Sequence, residues 1–290
     1  MTAPLVNLKA RIESLRELPA MPAMAAKVIQ LKSNPKGSVQ DLARIIELDP
    51  SLSAQVIRYA QSPFFGYRGK VESVYTAIAR VLGYELVMNL AFGIATARPF
   101  KVPNSGPLGL TAFWRHAIYC GALVQALSAK VEEEIRPPAG LAYLAGLLHN
   151  FGLLVIGHLF PKEYMLLNKL VMEHPNKPIS EIESKVFGVT HNQVGAWIMR
   201  AWNLPEEVIV ASLHHHNEEY MGAHEVYPKL VILANRALKA EGIGDEDNTK
   251  MPQSILDYFG MGEYMAMMDI KKIVDSNEEL NAMITHAIGR

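Results

Sequence analysis

LAYLAGLLHNFGLLVIGHLF, residues Leu141 to Phe160, decides how the rest of the chain is read. The stretch approaches the ~20 apolar residues that a membrane-spanning helix requires. His149, Asn150 and His158 lie inside it, however, and glycines interrupt it at positions 146, 152 and 157. Polar side chains are costly in lipid but ordinary in a protein core that supplies partners. The stretch is therefore expected to be a buried core segment, and no membrane partner is expected.

Outward from it, apolar residues recur mainly at helical spacing with short breakers between the runs, which predicts an all-α protein. Upstream, Val39, Leu42, Ala43, Ile45 and Ile46 share one helix face, opened by Ser38 with Asp41 three residues on as a capping box. Asp49-Pro50 starts the next helix, with Asp as N-cap and proline where its missing N–H is harmless. Ser62-Pro63, Gly66 and Gly69 close that helix, and Val71–Val81 and Glu85–Ala97 read as two more around Gly83. Arg98–Gly109, rich in proline and glycine, is the best candidate for a subdomain boundary. Downstream, helices are expected over Thr111–Lys130, Ala139–Leu148 and Pro161–Glu173. Thr190 and Gln193 form a capping box, Leu204-Pro205-Glu206-Glu207 opens a helix ending in three histidines, and Tyr227–Ala240 is another helix. Gly244–Thr249 reads as an acidic loop, and Ser276 with Glu279 as the cap of a last helix. The expected architecture is an N-terminal helical bundle, residues 1–107, packed on a second helical subdomain, residues 108–242, with a C-terminal helical extension, residues 243–290.

Composition bounds the function. The 290 residues are 50% hydrophobic and 20% charged, enough for a sizeable core. With 28 Lys+Arg against 29 Asp+Glu the net charge is -1, so there is no global field to hold nucleic acid, and no nucleic-acid partner is expected. The single cysteine, Cys120, makes no intramolecular disulfide, and MTAPLVNLKARIESL lacks a secretion signature, which together point to the cytoplasm. No dinucleotide, Walker, serine-hydrolase or zinc-finger motif is present.

Ten histidines remain to be explained. His158, His174, His224 and His286 stand among ordinary neighbours and are read as surface or satisfied core residues. His116, His149, His191, His215 and His216 differ, because each sits in a distinctive context: WRHAIYCGALVQAL, LAGLLHNFG, and THNQVGAWIMRAWNLPEEVIVASLHHH, followed by LVILANRAL around Asn235. These segments resemble successive helices of the HD superfamily. The first half narrows the resemblance, through LPAMPAMAAKVIQL, SVQDLARIIELDPSLSAQVIRYAQSPFFG and VESVYTAIARVLGYELVMNLAF, to the HDOD domain, the HD-related output domain of bacterial signalling proteins. The similarity runs from about Leu18 to about Leu238, with Gln61 as a mild departure where asparagine is common.

The resemblance implies a site whose histidines and two aspartates, in catalytic relatives, hold one or two divalent metals that activate water against phosphate esters. This chain departs where it matters. His149 is followed by Asn150 in place of Asp, and the later aspartate is Asn235. Both expected carboxylates are therefore amides, poor donors for Mg²⁺ or Mn²⁺. The glycine and lysine that follow His-Asp in the phosphodiesterase branch are replaced by Phe151-Gly152-Leu153, and the GYP signature is missing. Cyclic di-GMP hydrolysis is not expected. The expected role is a non-catalytic output or scaffold protein of signal transduction, working through a protein partner or a small ligand, with no required cofactor. Two readings of the five imidazoles stay open: a hydrogen-bonded polar core, or a transition-metal site for Zn²⁺, Ni²⁺ or Fe²⁺. The competing function is a metal-dependent phosphohydrolase acting on a nucleotide or cyclic dinucleotide.

Cys120 lies one helical turn from His116 and is read as a small core residue, with a thiolate ligand or redox sensor as the alternative. Met261, Met265, Met267 and Met268 beside Tyr258, Phe259 and Tyr264 are expected to pack on the bundle, with partner docking as the alternative.

Overall fold

The structure, a computed structural model, describes Leu8, residues 19–275 and residues 277–287. The expected cap at Ser276, the opening segment apart from Leu8, and the side chain of His286 lie outside the described residues. The described residues form helices and connecting loops with no strand. In chain order the helices are α1 Ala23–Lys32, α2 Val39–Glu47, α3 Pro50–Gln61, α4 Tyr84–Ala97, α5 Leu110–Ser128, α6 Ala139–Leu148, α7 Phe151–Leu159 and α8 Pro161–Glu173. They continue as α9 Ile179–Phe187, α10 His191–Ala201, α11 Glu206–His214, α12 Val226–Ala240, α13 Gln253–Tyr258, α14 Glu263–Asp275 and α15 Asn277–Ala287.

Local signals set the helix starts. The Ser38 side chain accepts from the Asp41 N–H while Asp41 reaches back to the Ser38 N–H, and Thr190 with Gln193 repeats the arrangement for α10. Asp49 accepts from the Ser51 and Leu52 N–H groups and also holds Arg98 at 2.8 Å. Asp49→Ala is expected to cost about 1–2 kcal/mol, mainly through the lost cap because the ion pair is partly solvated, and urea unfolding checks it. One expected helix differs. Over Val71–Val81 the chain turns helical only at Val74, because Ser73 caps there, and Ala77–Leu82 is π-helical, its last turn closed by Gly83 N–H onto Ile78 C=O.

An irregular stretch separates α4 from α5, and one hydrophobic core takes in residues from both sides of it. α4 packs on α6, α6 on α5, and Tyr59 of α3 meets Tyr143 of α6 at 5.3 Å between ring centres. Trp202 donates its indole N–H to the Pro19 carbonyl, which ties the chain after α10 to the N-terminal part. The apolar segment Ala139–Leu159 runs through the interior, most of it buried, as α6 and α7 broken at His149-Asn150. α15 lies against both α3 and α5. The methionine run divides: Met261 is buried, whereas Met265, Met268 and Tyr264 are exposed.

Candidate functional site

The break between α6 and α7 is where the site forms. α6 ends at His149, and Asn150 leaves helical geometry at φ −95°, ψ 15° before α7 begins. The carbonyl that His149 would leave open accepts from Ser212 Oγ at 2.9 Å. α7 meets α10 at Gly152, where an added Cβ would lie 1.9 Å from the His191 carbonyl oxygen. That approach brings His191, the first residue of α10, beside the His149 turn. His116 comes from the middle of α5, His215 and His216 from the end of α11, and Asn235 from α12.

All five imidazoles form one contiguous cluster. Ring centres are 4.9 Å apart for His116–His149, 4.8 Å for His149–His215, 5.3 Å for His191–His215, 5.4 Å for His191–His216 and 4.2 Å for His215–His216. His158, His174, His214 and His224 stay apart from it. His158 accepts from the Lys101 N–H, His214 stacks on Tyr220, and His174 and His224 are exposed.

The cluster has two chemically distinct halves. In the first, His149 donates from Nδ1 to the Gly146 carbonyl at 2.7 Å, which leaves Nε2 as a lone pair. Asn235 Nδ2 faces that lone pair at 3.5 Å, while Asn235 Oδ1 accepts from His116 Nε2 at 3.0 Å and from the Cys120 thiol at 3.4 Å. One carboxamide thus donates to one ring and accepts from another, which a carboxylate cannot do. Burial holds the His149 pKa well below the usual imidazole range, reinforced by His116. Burial likewise pushes the Cys120 thiol far up, helped by Asp245 and Glu246, so it serves here as an S–H donor.

The second half is differently satisfied. His191 Nδ1 donates to Glu183 Oε2 at 2.8 Å, and His215 Nδ1 donates to the Ser212 carbonyl at 2.8 Å. Their Nε2 atoms then face each other at 3.3 Å. His216 points Nδ1 at Glu246 Oε1, 3.2 Å away, and its Nε2 has no hydrogen-bond partner among the described residues. Burial depresses the His215 pKa, with the neighbouring imidazoles adding to it. Burial acts the same way at His216, but the Glu246 hydrogen bond and the charges of Glu246, Asp245 and Glu183 outweigh it and raise that pKa.

The fit to a metal follows from these donors. In the first half His116, Cys120 and His149 also offer ligand atoms within 4.8 Å of one another, but Asn235 engages both Nε2 atoms and burial keeps the thiol protonated, so the fit is poorer. The second fits: His191, His215 and His216 offer ring nitrogens within 4.8 Å of one another, and carboxylate or carbonyl partners hold their Nδ1 atoms, the outer support typical of metal-bound imidazoles.

Residues that spacing alone did not single out complete the site. The acidic loop after α12 lies on the cluster instead of in solvent. Asp245 Oδ1 is 3.1 Å from Asn150 Nδ2 and 3.3 Å from His116 Nδ1. Burial would raise the Asp245 pKa, but His116, His216, His191 and His149 lower it far more. Arg236 holds Glu218 at 2.8 Å, Glu246 at 2.9 Å and Asp247 at 3.0 Å. A cavity of about 220 Å³ opens among Ile179, His215, His216, Arg236, Asp245 and Glu246. Positions 150 and 235 carry carboxamides, but a loop distant in sequence brings the carboxylates of Asp245 and Glu246 to the cluster.

A family model described as HDOD domain matches residues 18–218. A solved candidate signal transduction protein from Marinobacter aquaeolei VT8 is 36% identical with a TM-score of 0.80, over 95% of this chain and 61% of that one. A candidate phosphohydrolase from Shewanella amazonensis SB2B shares the fold, with a TM-score of 0.72 at 18% identity over 96% of this chain and 98% of that one. An uncharacterized protein of Treponema pallidum (strain Nichols) is 25% identical over 250 residues, 85% of this chain. The chain spans only 47% of that relative's length.

Proposed function

The chain belongs to the HDOD family, and from that membership we propose that it is a non-catalytic output protein of cytoplasmic signal transduction that acts by binding a protein partner or a small ligand. The observation that carries this reading is Asn235, whose carboxamide joins His116 to His149 with a donor on one side and an acceptor on the other. At the position where catalytic relatives place a metal-binding acid, this residue spends both ends on holding imidazoles in register. Asn150 likewise gives its amide to Asp245, and neither residue offers a hard anionic oxygen to bridge two metals. The net charge of -1 supports a partner other than nucleic acid.

A divalent ion held by His191, His215 and His216 would supply Lewis acidity and a more acidic bound water. That capacity supports a second reading, a metal-dependent phosphohydrolase with a single ion, and the confronting Nε2 atoms of His191 and His215 favour it. One assay separates the two. Untagged protein incubated with Mn²⁺, Fe²⁺ or Zn²⁺ is offered bis(p-nitrophenyl) phosphate and a cyclic dinucleotide, and no turnover above the metal blank is expected. Turnover that disappears in His149→Ala would overturn the non-catalytic reading.

A further inference from the structure

We propose that the cleft between the start of α4 and the start of α6 binds a small organic anion, whose phosphate or carboxylate head is held by Lys32, Asn89 and the backbone amides of the two helix starts. The cleft has a volume of about 560 Å³, within the roughly 300–1,000 Å³ of small-molecule sites. It shares no lining residue with the cavity beside the imidazoles. The length of α6 separates the two: Gly140 lines the cleft in the first turn, and His149 follows the last residue, about 14 Å further along the axis.

Two uncapped helix starts meet in this cleft. α4 opens at Gly83, whose φ of +80° and ψ of 162° only glycine adopts freely, so the N-cap position has no side chain to offer. α6 opens after Pro138, which makes no cap hydrogen bond. The first-turn N–H groups of both helices therefore lack an intrahelical acceptor and a capping side chain, and Tyr84, Glu85, Leu86, Ala139 and Gly140 all line the cleft.

Side chains add further donors. Asn89, also in the lining, is only 2% exposed. Its Oδ1 accepts from Lys32 Nζ at 3.3 Å, and its Nδ2 donates one proton to the Glu85 carbonyl at 2.8 Å, so a second, buried amide proton is left without an acceptor among the described residues. Lys32 pairs with that neutral oxygen and with no carboxylate among the described residues. Gln125 has its Oε1 engaged by the Tyr59 hydroxyl at 3.4 Å, which leaves the NH₂ end of its carboxamide for a ligand. The one acid in the lining, Glu85, is exposed, where water screens it.

A cleft with an ammonium group, spare amide protons and the positive ends of two helices, and with its own side-chain amide oxygens already taken, suits an oxyanion and not a cation. Leu82, Leu86 and Leu141 supply apolar wall for the body of the ligand, and a smaller apolar recess lined by Val28, Met88, Phe92 and Leu144 adjoins Lys32 and Asn89.

Isotope-labelled full-length protein titrated with phenyl phosphate, with benzoate and with neutral benzyl alcohol tests the assignment. At least one of the two anions should bind and shift the amide resonances of residues 84–86 and 139–140, the tighter of the two identifying the head group, and benzyl alcohol should bind at least ~10-fold more weakly. Lys32→Ala, which alters an exposed side chain, should weaken the anion by at least ~10-fold, whereas Lys169→Ala, an exposed lysine of α8, should leave binding unchanged. No binding of either anion at millimolar concentration, benzyl alcohol binding as tightly, indifference to Lys32→Ala, or shifts confined to the imidazole cluster would each overturn the proposal.

Discussion

Asn235→Asp is expected to destabilise the metal-stripped protein by about 3–5 kcal/mol, the cost of leaving a buried charge without compensation. Asn235 is 1% exposed, and its neighbours are His116, His149 and Cys120 with no permanent cation among them. The substitution replaces the donor to His149 Nε2 with an oxygen, so a lone pair would face a negative charge. His149 would have to take up a proton to relieve this, which its burial opposes. Urea unfolding in the presence of a chelator measures the loss. Adding Asn150→Asp and then Zn²⁺ or Mn²⁺ should restore much of it, because a dication would turn the two acids from liabilities into ligands. A neutral effect of Asn235→Asp without metal would contradict the hydrogen-bonded reading of this half of the cluster.

Gly152→Ala should be comparably severe, at least about 3 kcal/mol, because the added methyl meets backbone instead of a side chain that can rotate away. Its Cβ would lie 1.9 Å from the His191 carbonyl oxygen, 2.7 Å from its carbonyl carbon and 2.8 Å from the Gly195 nitrogen. α7 and α10 would have to separate, and His191 would move with α10. Gly262→Ala, where nothing lies within 4 Å of the added carbon, is the matched control and should unfold at the parent urea concentration. Equal midpoints for the two variants would show that the helices at the site are not held as closely as their packing indicates.

Much of this arrangement is legible from residue spacing because it is local. Ser38 with Asp41, Asp49 with Pro50, and Thr190 with Gln193 act within one turn of themselves, and each caps the helix expected of it. The HD-like contexts marked His116, His149, His191, His215 and His216 as a set, and the fold brings them together. What escaped depends on chain path. Gly244-Asp245-Glu246-Asp247 has the composition of a solvated turn, and nothing within it records that α12 delivers it onto an imidazole cluster. Glu183 lies between Ile182 and Ser184 in an amphipathic helix where an acid ordinarily faces water, yet it is fully buried against His191. The split of the cluster into an amide-bridged half and a half with converging lone pairs depends on which nitrogen of each ring finds a carbonyl or carboxylate, and spacing carries no such information.

We propose that the HD position of this protein is a hydrogen-bonded polar core and not a two-metal hydrolytic centre. Elemental analysis of untagged protein saturated with Mn²⁺, Fe²⁺ or Zn²⁺, on the same sample that is assayed for phosphodiester hydrolysis, tests it most directly. No more than one metal per chain and no turnover are predicted; two metals per chain with turnover lost in His149→Ala would contradict it.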